Sequence, residues 1–283
     1  MTSPPPAHLF THEAMNTTFS LRICEPDQPV AAGMARECFE KLDSLEKHLS
    51  RFIDGSDVSR INNLKAGETL YLSEPTHQCL LAALDAYVRT GGLFDITLGS
   101  RIAHQKSGDS GAIPPLAGRL TIHPDVAAVT CESPGREIDL GGIGKGFALD
   151  QLKQLLLDRD VEGGLLAAGA SSLLAFGPDA WPVDLAGDSG SLRIALANQS
   201  LSASGSGIQG SHIVHPEGAE AMPSSPCRRV WVSAATAALA EIWSTALILV
   251  EPEAIADFIA GEETIGAVYI DRIGGVECLH IDK

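Results

Sequence analysis

Four glycines and a lysine crowd into one short run, Glu137-Ile138-Asp139-Leu140-Gly141-Gly142-Ile143-Gly144-Lys145-Gly146-Phe147-Ala148-Leu149-Asp150. The run reads as a short apolar strand, an acidic residue, a glycine corner and then a helix. Glycine tolerates positive φ and lets a main chain approach a ligand closely. A helix start offers free N–H groups and the positive end of its dipole, which suits a phosphate or a carboxylate. Lys145 adds a cation there, while Asp139 suits a metal ion, a ring N–H or a sugar hydroxyl. The pattern is not a P-loop, since no Ser or Thr comes after the lysine and the glycine spacing differs; G-x-G-x-x-G is also absent. A strand-to-helix corner that binds nothing would carry the same glycines.

The rest of the chain narrows the partners. With 20 Lys and Arg against 36 Asp and Glu, the net charge of −16 repels nucleic acid and anionic membrane, so neither is expected as a partner. An anionic ligand then needs a locally positive pocket or a bound cation. No apolar run reaches the ~18 residues of a membrane span. The six cysteines, Cys24, Cys38, Cys79, Cys131, Cys227 and Cys278, form no C-x-x-C pair and read as scattered thiols of a reducing compartment. Met1-Thr2-Ser3-Pro4-Pro5-Pro6 lacks the basic and apolar segments of a leader, so a cytoplasmic location is expected, or a periplasmic one if a leader has been trimmed away.

Taken in order, the Pro-rich residues 1–10 read as a disordered tail and 11–283 as one domain of two intimately packed α/β subregions. Met15-Asn16-Thr17-Thr18-Phe19-Ser20-Leu21-Arg22-Ile23 alternates as a strand. Residues 30–49 and 75–90 read as helices, the second stopped by Gly91-Gly92. Residues 101–120 read as a surface loop, and 126–131 and 136–140 as strands. Short apolar segments between 164 and 203 suggest an antiparallel meander. His212 and His215, three apart beside a Pro-Glu-Gly turn, read as a metal pair or as structural histidines. Ser233 reads as the cap of an apolar helix over 234–250. In it Glu241 and Thr245 stand four apart on one face, able to hold a hard cation or simply to sit at an edge. A helix over 252–261 and two strands close the chain.

The ordered set of Met15-Asn16-Thr17-Thr18, residues 50–62, Thr90-Gly91-Gly92-Leu93-Phe94-Asp95-Ile96-Thr97, Asp139 to Gly146, Ser204-Gly205, His212-Ile213-Val214-His215-Pro216 and residues 241–247 resembles the ApbE-like family, the FAD:protein FMN transferases. The resemblance runs from about Met15 to Val250. It implies an α+β fold related to the T-fold, with mixed and antiparallel sheets, flanking helices and a central flavin cleft. It also implies FAD as the flavin donor, Mg²⁺ at the pyrophosphate, and transfer of FMN to a Thr or Ser hydroxyl of a flavoprotein with release of AMP. Carried over by position, Met15, Phe52, Leu93, Phe94, Asp95, Asp139 and Lys145 would contact FAD. The Gly142 carbonyl, Glu241 and Thr245 would hold the metal, and His212 and Lys145 would serve the chemistry. The chain departs from the family at Phe52 (usually tyrosine), at Gly169-Ala170-Ser171 (often Gly-Gly-Asp), at His215 (often Asp) and at Glu241 (usually Asp). A flavin-binding relative that has lost the transfer reaction is the alternative those departures allow.

Overall fold

The computed structural model describes residues 7–108, 111–188, 190–205, 213–224, 227–272 and 274–280. The chain opens with β1 (His8–Ala14), β2 (Thr17–Ile23), α1 (Gln28–Leu49), α2 (Asp57–Asn62), β3 (Thr69–Tyr71), α3 (Glu74–Arg89), α4 (Gly99–Ser107), β4 (Arg119–Ile122) and β5 (Ala128–Ser133). It continues through α5 (Gly144–Leu157), β6 (Gly164–Ala168), β7 (Ser172–Phe176), β8 (Ala180–Ala186), β9 (Ser191–Ala197) and β10 (Ser200–Gly205). It ends with β11 (Arg229–Ala234), α6 (Ala237–Leu247), α7 (Ile255–Phe258), β12 (Ile265–Arg272) and β13 (Gly275–His280). These elements divide into two units, Met1–Asp43 with Lys145–Ser211 and Pro223–Lys283, and Ser44–Gly144 with His212–Met222.

The first unit is built on an eight-stranded antiparallel sheet in the order β1-β2-β6-β7-β10-β11-β12-β13. Phe19, Leu21 and Ile23 alternate inward along β2, and β6 is buried along its whole length, as expected of a strand covered on both faces. α6 packs on β7, β10 and β11. The β8–β9 hairpin contributes Trp181, Leu185 and Leu196 to an apolar cluster with Leu165, Leu201 and Trp231. Nine of the eleven α6 residues are buried. A helix so enclosed leaves its polar side chains no water, so Glu241 and Ser244 must find partners inside the protein.

The second unit holds the small β3-β5-β4 sheet with α2, α3 and α4. Ser56 caps α2 by accepting the Ser59 N–H at 2.9 Å. Asp57 then receives the Ser73 hydroxyl and N–H and the Thr76 hydroxyl, tying α2 to the start of α3. Burial pushes its carboxyl up, yet those hydrogen bonds and nearby His48 outweigh burial and leave it below its ordinary value.

The α+β class with antiparallel sheets and helices stands as expected, whereas several local readings are corrected. β1 begins at His8, inside the stretch read as a tail. The strand read from Met15 onward is the second arm of a hairpin: Met15 and Asn16 form its tip at φ 50° and 57°, and β2 starts at Thr17. Residues 99–107 are a helix closed by Gly108 at φ 67°; the Gly, Ser and Pro that suggest a loop belong to the segment after it. Residues 136–140 make only an isolated bridge, Glu137 to Leu98. The meander resolves into the β8–β9 hairpin, while β10 pairs with β7 and β11. Thr236, not Ser233, caps α6, because β11 runs on through Ala234.

The glycine corner is also used differently from expectation. None of Gly141, Gly142, Gly144 and Gly146 has positive φ. Gly146 is needed for close approach, and what approaches is protein: a Cβ there would run into the Ala237 carbonyl and stand 2.8 Å from the Ala238 nitrogen. Both neighbours are backbone and cannot swing aside. Gly146→Ala should therefore cost about 1–3 kcal/mol or more in urea unfolding. Gly33→Ala, in α1 with nothing within 4 Å of its Cβ, should gain roughly 0.5–1 kcal/mol. Equal effects at the two positions would refute the close-approach account.

Candidate active site

α5 and α6 meet at their N-terminal halves, each capping the other. From α6, Glu241 Oε2 accepts the Gly146 N–H of α5 at 2.7 Å. From α5, Asp150 accepts the Ala237 N–H at 2.8 Å on Oδ1 and the Ala238 N–H at 2.9 Å on Oδ2. Thr236 Oγ1 takes the next α6 donor, Leu239, at 3.2 Å. Each carboxylate satisfies N–H groups that a helix start leaves open, and each lies at the positive end of the other helix's dipole.

Glu241 holds more than the cap. Its Oε1 lies 2.8 Å from Lys145 Nζ and 2.9 Å from Ser172 Oγ, which donates to it. Glu241 is 4% exposed, and the Lys145 side chain is nearly as enclosed. The edge position considered for Glu241 is thus excluded. One turn on, Thr245 Oγ1 stands 3.5 Å from Ser204 Oγ, a long contact. Ser244 instead sits 3.0 Å from Ser204 Oγ and donates to the Glu241 carbonyl at 3.1 Å.

In the second unit, Arg51 gathers two carboxylates. Its Nη2 donates to Glu137 Oε2 at 2.6 Å and its Nη1 to Asp139 Oδ2 at 3.3 Å. The other Asp139 oxygen accepts the Gly141 N–H at 2.8 Å. The Asn62 side chain both donates to the Ile138 carbonyl and accepts the Ile138 N–H, completing the pairing that a neighbouring strand would otherwise supply. Phe52 is 79% exposed, and the Arg51 guanidinium lies 5.8 Å from its ring centroid. Asp95 accepts the Thr97 N–H and hydroxyl, each at 2.7 Å, and Arg136 donates to that same hydroxyl.

The remaining candidates occupy varied settings. Met15 is half-buried at the β1–β2 tip in a left-handed backbone that a methionine seldom adopts, the kind of strain that gathers at functional sites. Leu93 is half-buried, whereas Phe94 is 3% exposed and packs as core. Gly142 lies in the turn closed by the Ile143 and Gly144 N–H groups on the Leu140 carbonyl. His212 lies outside the described residues. His215 is buried, and its Nδ1 accepts the Glu217 N–H at 3.1 Å, which favours the structural reading of that histidine. Among the described residues no three His, Cys, Asp or Glu gather as a metal cluster. Glu241 and Thr245 are oxygen donors of the kind Mg²⁺ takes, and ligation by Glu241 would draw one of its oxygens away from Lys145 or the Gly146 N–H.

Arg51 and Asn62 in the second unit, and Asp150 and Ser172 in the first, are given no role of their own by the sequence. Arg51 is overshadowed by its neighbour Phe52, and Asp150 ends the glycine run without any local pattern pointing to its partner. Burial pushes the Asp150 carboxyl from 3.8 up to about 6; Glu241 adds to the rise, while the Ala238 and Ala237 N–H groups and Lys153 oppose it. The folded protein then holds this proton more tightly than the unfolded chain does. Its contribution to stability is greatest below pH ~4, falls as pH rises to about 6 and is flat above. Asp150→Asn should remove a decline of up to about 3 kcal/mol from the stability-against-pH curve in that window. Unfolding curves for the two proteins that stay parallel from pH 4 to 6 would contradict it.

Comparison with known proteins agrees with this architecture. Relatives include an FAD:protein FMN transferase of Buchnera aphidicola subsp. Schizaphis graminum, 27% identical over 270 residues that cover 84% of this chain and 78% of that protein. Another is an FAD:protein FMN transferase of Klebsiella pneumoniae, 22% identical over 169 residues, 56% of this chain and 52% of that one. The flavin transferase ApbE of Vibrio cholerae has the same fold, with a TM-score of 0.80 at 18% identity and 97% of both chains covered. The apo flavinyl transferase ApbE of Pseudomonas stutzeri gives 0.81 at 21% identity, covering 98% of this chain and 95% of that one. The ApbE family model matches residues 15–269, so this chain belongs to the ApbE family.

Proposed function

We propose that the protein is an FAD:protein FMN transferase. The observation that carries this reading, beside family membership, is the pair of half-buried Lys145 and buried Glu241 set at the meeting of two helix starts. In a chain of net charge −16, the ammonium and the two helix starts are already offset by Glu241 and Asp150, so a pyrophosphate there would need a bound cation as well.

The reaction is a substitution at phosphorus. A Thr or Ser hydroxyl oxygen of the acceptor flavoprotein attacks the FMN phosphorus, the bond from that phosphorus to the bridging oxygen breaks, and AMP leaves with the bridging oxygen. Lys145 stabilises charge on the phosphates, and His212 is the proposed base that takes the hydroxyl proton. Glu241 and Thr245 would hold Mg²⁺, with the Gly142 carbonyl as the ligand the family resemblance adds. Bound there, the ion neutralises the leaving phosphate and polarises phosphorus. Phe52, exposed and without a hydroxyl, offers a stacking face to a flavin or adenine ring. Met15, Leu93, Asp95 and Asp139 are proposed FAD contacts, whereas Phe94 is buried and packs as core. No described helix is long and apolar enough to cross a membrane.

Purified protein incubated with FAD, Mg²⁺ and a threonine-bearing acceptor peptide should release AMP, and Glu241→Ala should abolish the release. Micromolar FAD binding without AMP would favour the flavin-binding relative, and absence of FAD binding would remove both readings. Glu241→Asp tests the longer side chain. A carboxylate one methylene shorter cannot keep the Gly146 N–H at 2.7 Å, Lys145 at 2.8 Å and Ser172 at 2.9 Å together. AMP release by Glu241→Asp should therefore fall about tenfold, a loss of roughly 1.4 kcal/mol in transition-state stabilisation. Undiminished activity would show that those three contacts do not matter to the reaction.

A further inference from the structure

We infer that Asp150 is a positioning residue: it fixes α6 against α5 and thereby sets Glu241 within reach of Lys145 and the Gly146 N–H. The geometry is a closed loop of short links. Asp150 grips the first two N–H groups of α6 with both oxygens, at 2.8 and 2.9 Å. Glu241 lies about one turn further along that helix. From there it reaches back to the Gly146 N–H at 2.7 Å and to Lys145 at 2.8 Å. Lys145, Gly146 and Asp150 all belong to α5, so both ends of the loop rest on one rigid helix. Gly146 lets the two backbones close on each other at the crossing. A bidentate carboxylate on two consecutive N–H groups defines both the height of α6 along α5 and its rotation, which one hydroxyl cap such as Thr236 cannot.

The fold holds this carboxylate where burial disfavours its charge, and Glu241 adds a second negative charge nearby while Lys153 opposes it. A neutral cap at Asp150 would avoid that cost, and Thr236 already supplies one hydroxyl to the same helix start. What the carboxylate provides beyond a hydroxyl is two fixed acceptors.

Two variants and two readouts test this. Asp150→Asn keeps one acceptor, and Asp150→Glu keeps the charge and both oxygens but shifts them by one methylene. Amide hydrogen exchange should show Gly146 exchanging at least tenfold faster in each variant, with the β2 and β6 amides unchanged. In the AMP-release assay with FAD, Mg²⁺ and the acceptor peptide, kcat should fall at least fivefold in Asp150→Glu while the KM for FAD stays within twofold. Gly146 exchange unchanged in Asp150→Glu overturns the inference, and so does a kcat equal to that of the parent. If Asp150→Asn does not fold, Asp150→Glu alone decides. The catalytic half rests on the transferase reading; a parent protein that releases no AMP refutes that reading, and the Gly146 exchange then decides the positioning claim by itself.

Discussion

The structure of the first unit depends on how two helix starts are held together. α5 and α6 are each finished by a carboxylate from the other, Glu241 on Gly146 and Asp150 on Ala237 and Ala238. A single cap of this kind is worth about 0.5–2 kcal/mol. The larger consequence is geometric. Two like dipole ends brought together repel unless negative charge lies between them, and the two carboxylates supply it. Taking one away leaves open N–H groups and, at Glu241, a nearly enclosed Lys145 ammonium, an arrangement that typically costs about 3–5 kcal/mol when one partner is removed.

That arrangement also sets the local charge. The charge of −16 is spread over the whole sequence, whereas at the meeting of α5 and α6 Lys145 and the two helix starts are matched by Glu241 and Asp150. Electrostatic interaction falls with distance and with salt, so the local field decides what binds there. The unusual Glu241 also acquires a physical meaning. Its longer side chain satisfies the helix start, the ammonium and the Ser172 hydroxyl together, and Ser172 comes directly after the stretch where the chain departs from the family's Gly-Gly-Asp.

Much of the architecture is readable from sequence because its signals are local. The periodicity of α1 and α3, the Gly91-Gly92 stop and the enclosed character of α6 all lie in neighbouring residues. The order of motifs points to the family without any coordinate. The features that escape a sequence reading depend on residues far apart along the chain. Gly146 reads as a phosphate-binding glycine until the Ala237 carbonyl of a distant helix is seen against it. Asp150 carries no pattern that announces α6, and Asn62 imitates a strand for Ile138 across 76 residues. Asp95 and Asp139 stand out in the sequence as polar residues, yet the hydrogen bonds described for both are internal, to Thr97 and to Gly141 and Arg51. Among the described residues no two cysteines form a disulfide, and burial pushes Cys38 up to about 12 and Cys227 to about 11, out of the reactive range.

If reciprocal capping is what organises this site, Asp150 and Glu241 must be energetically coupled although neither touches the other's carboxylate in a direct hydrogen bond. A double-mutant cycle of Asp150→Asn and Glu241→Gln, read by urea unfolding at pH 7, measures that coupling directly. The account predicts an interaction of about 1 kcal/mol or more, because the first substitution already loosens the helix pair that the second would break. Additive losses, agreeing within about 0.3–0.5 kcal/mol, would mean that the two caps act independently and that the helix pair is held by something else.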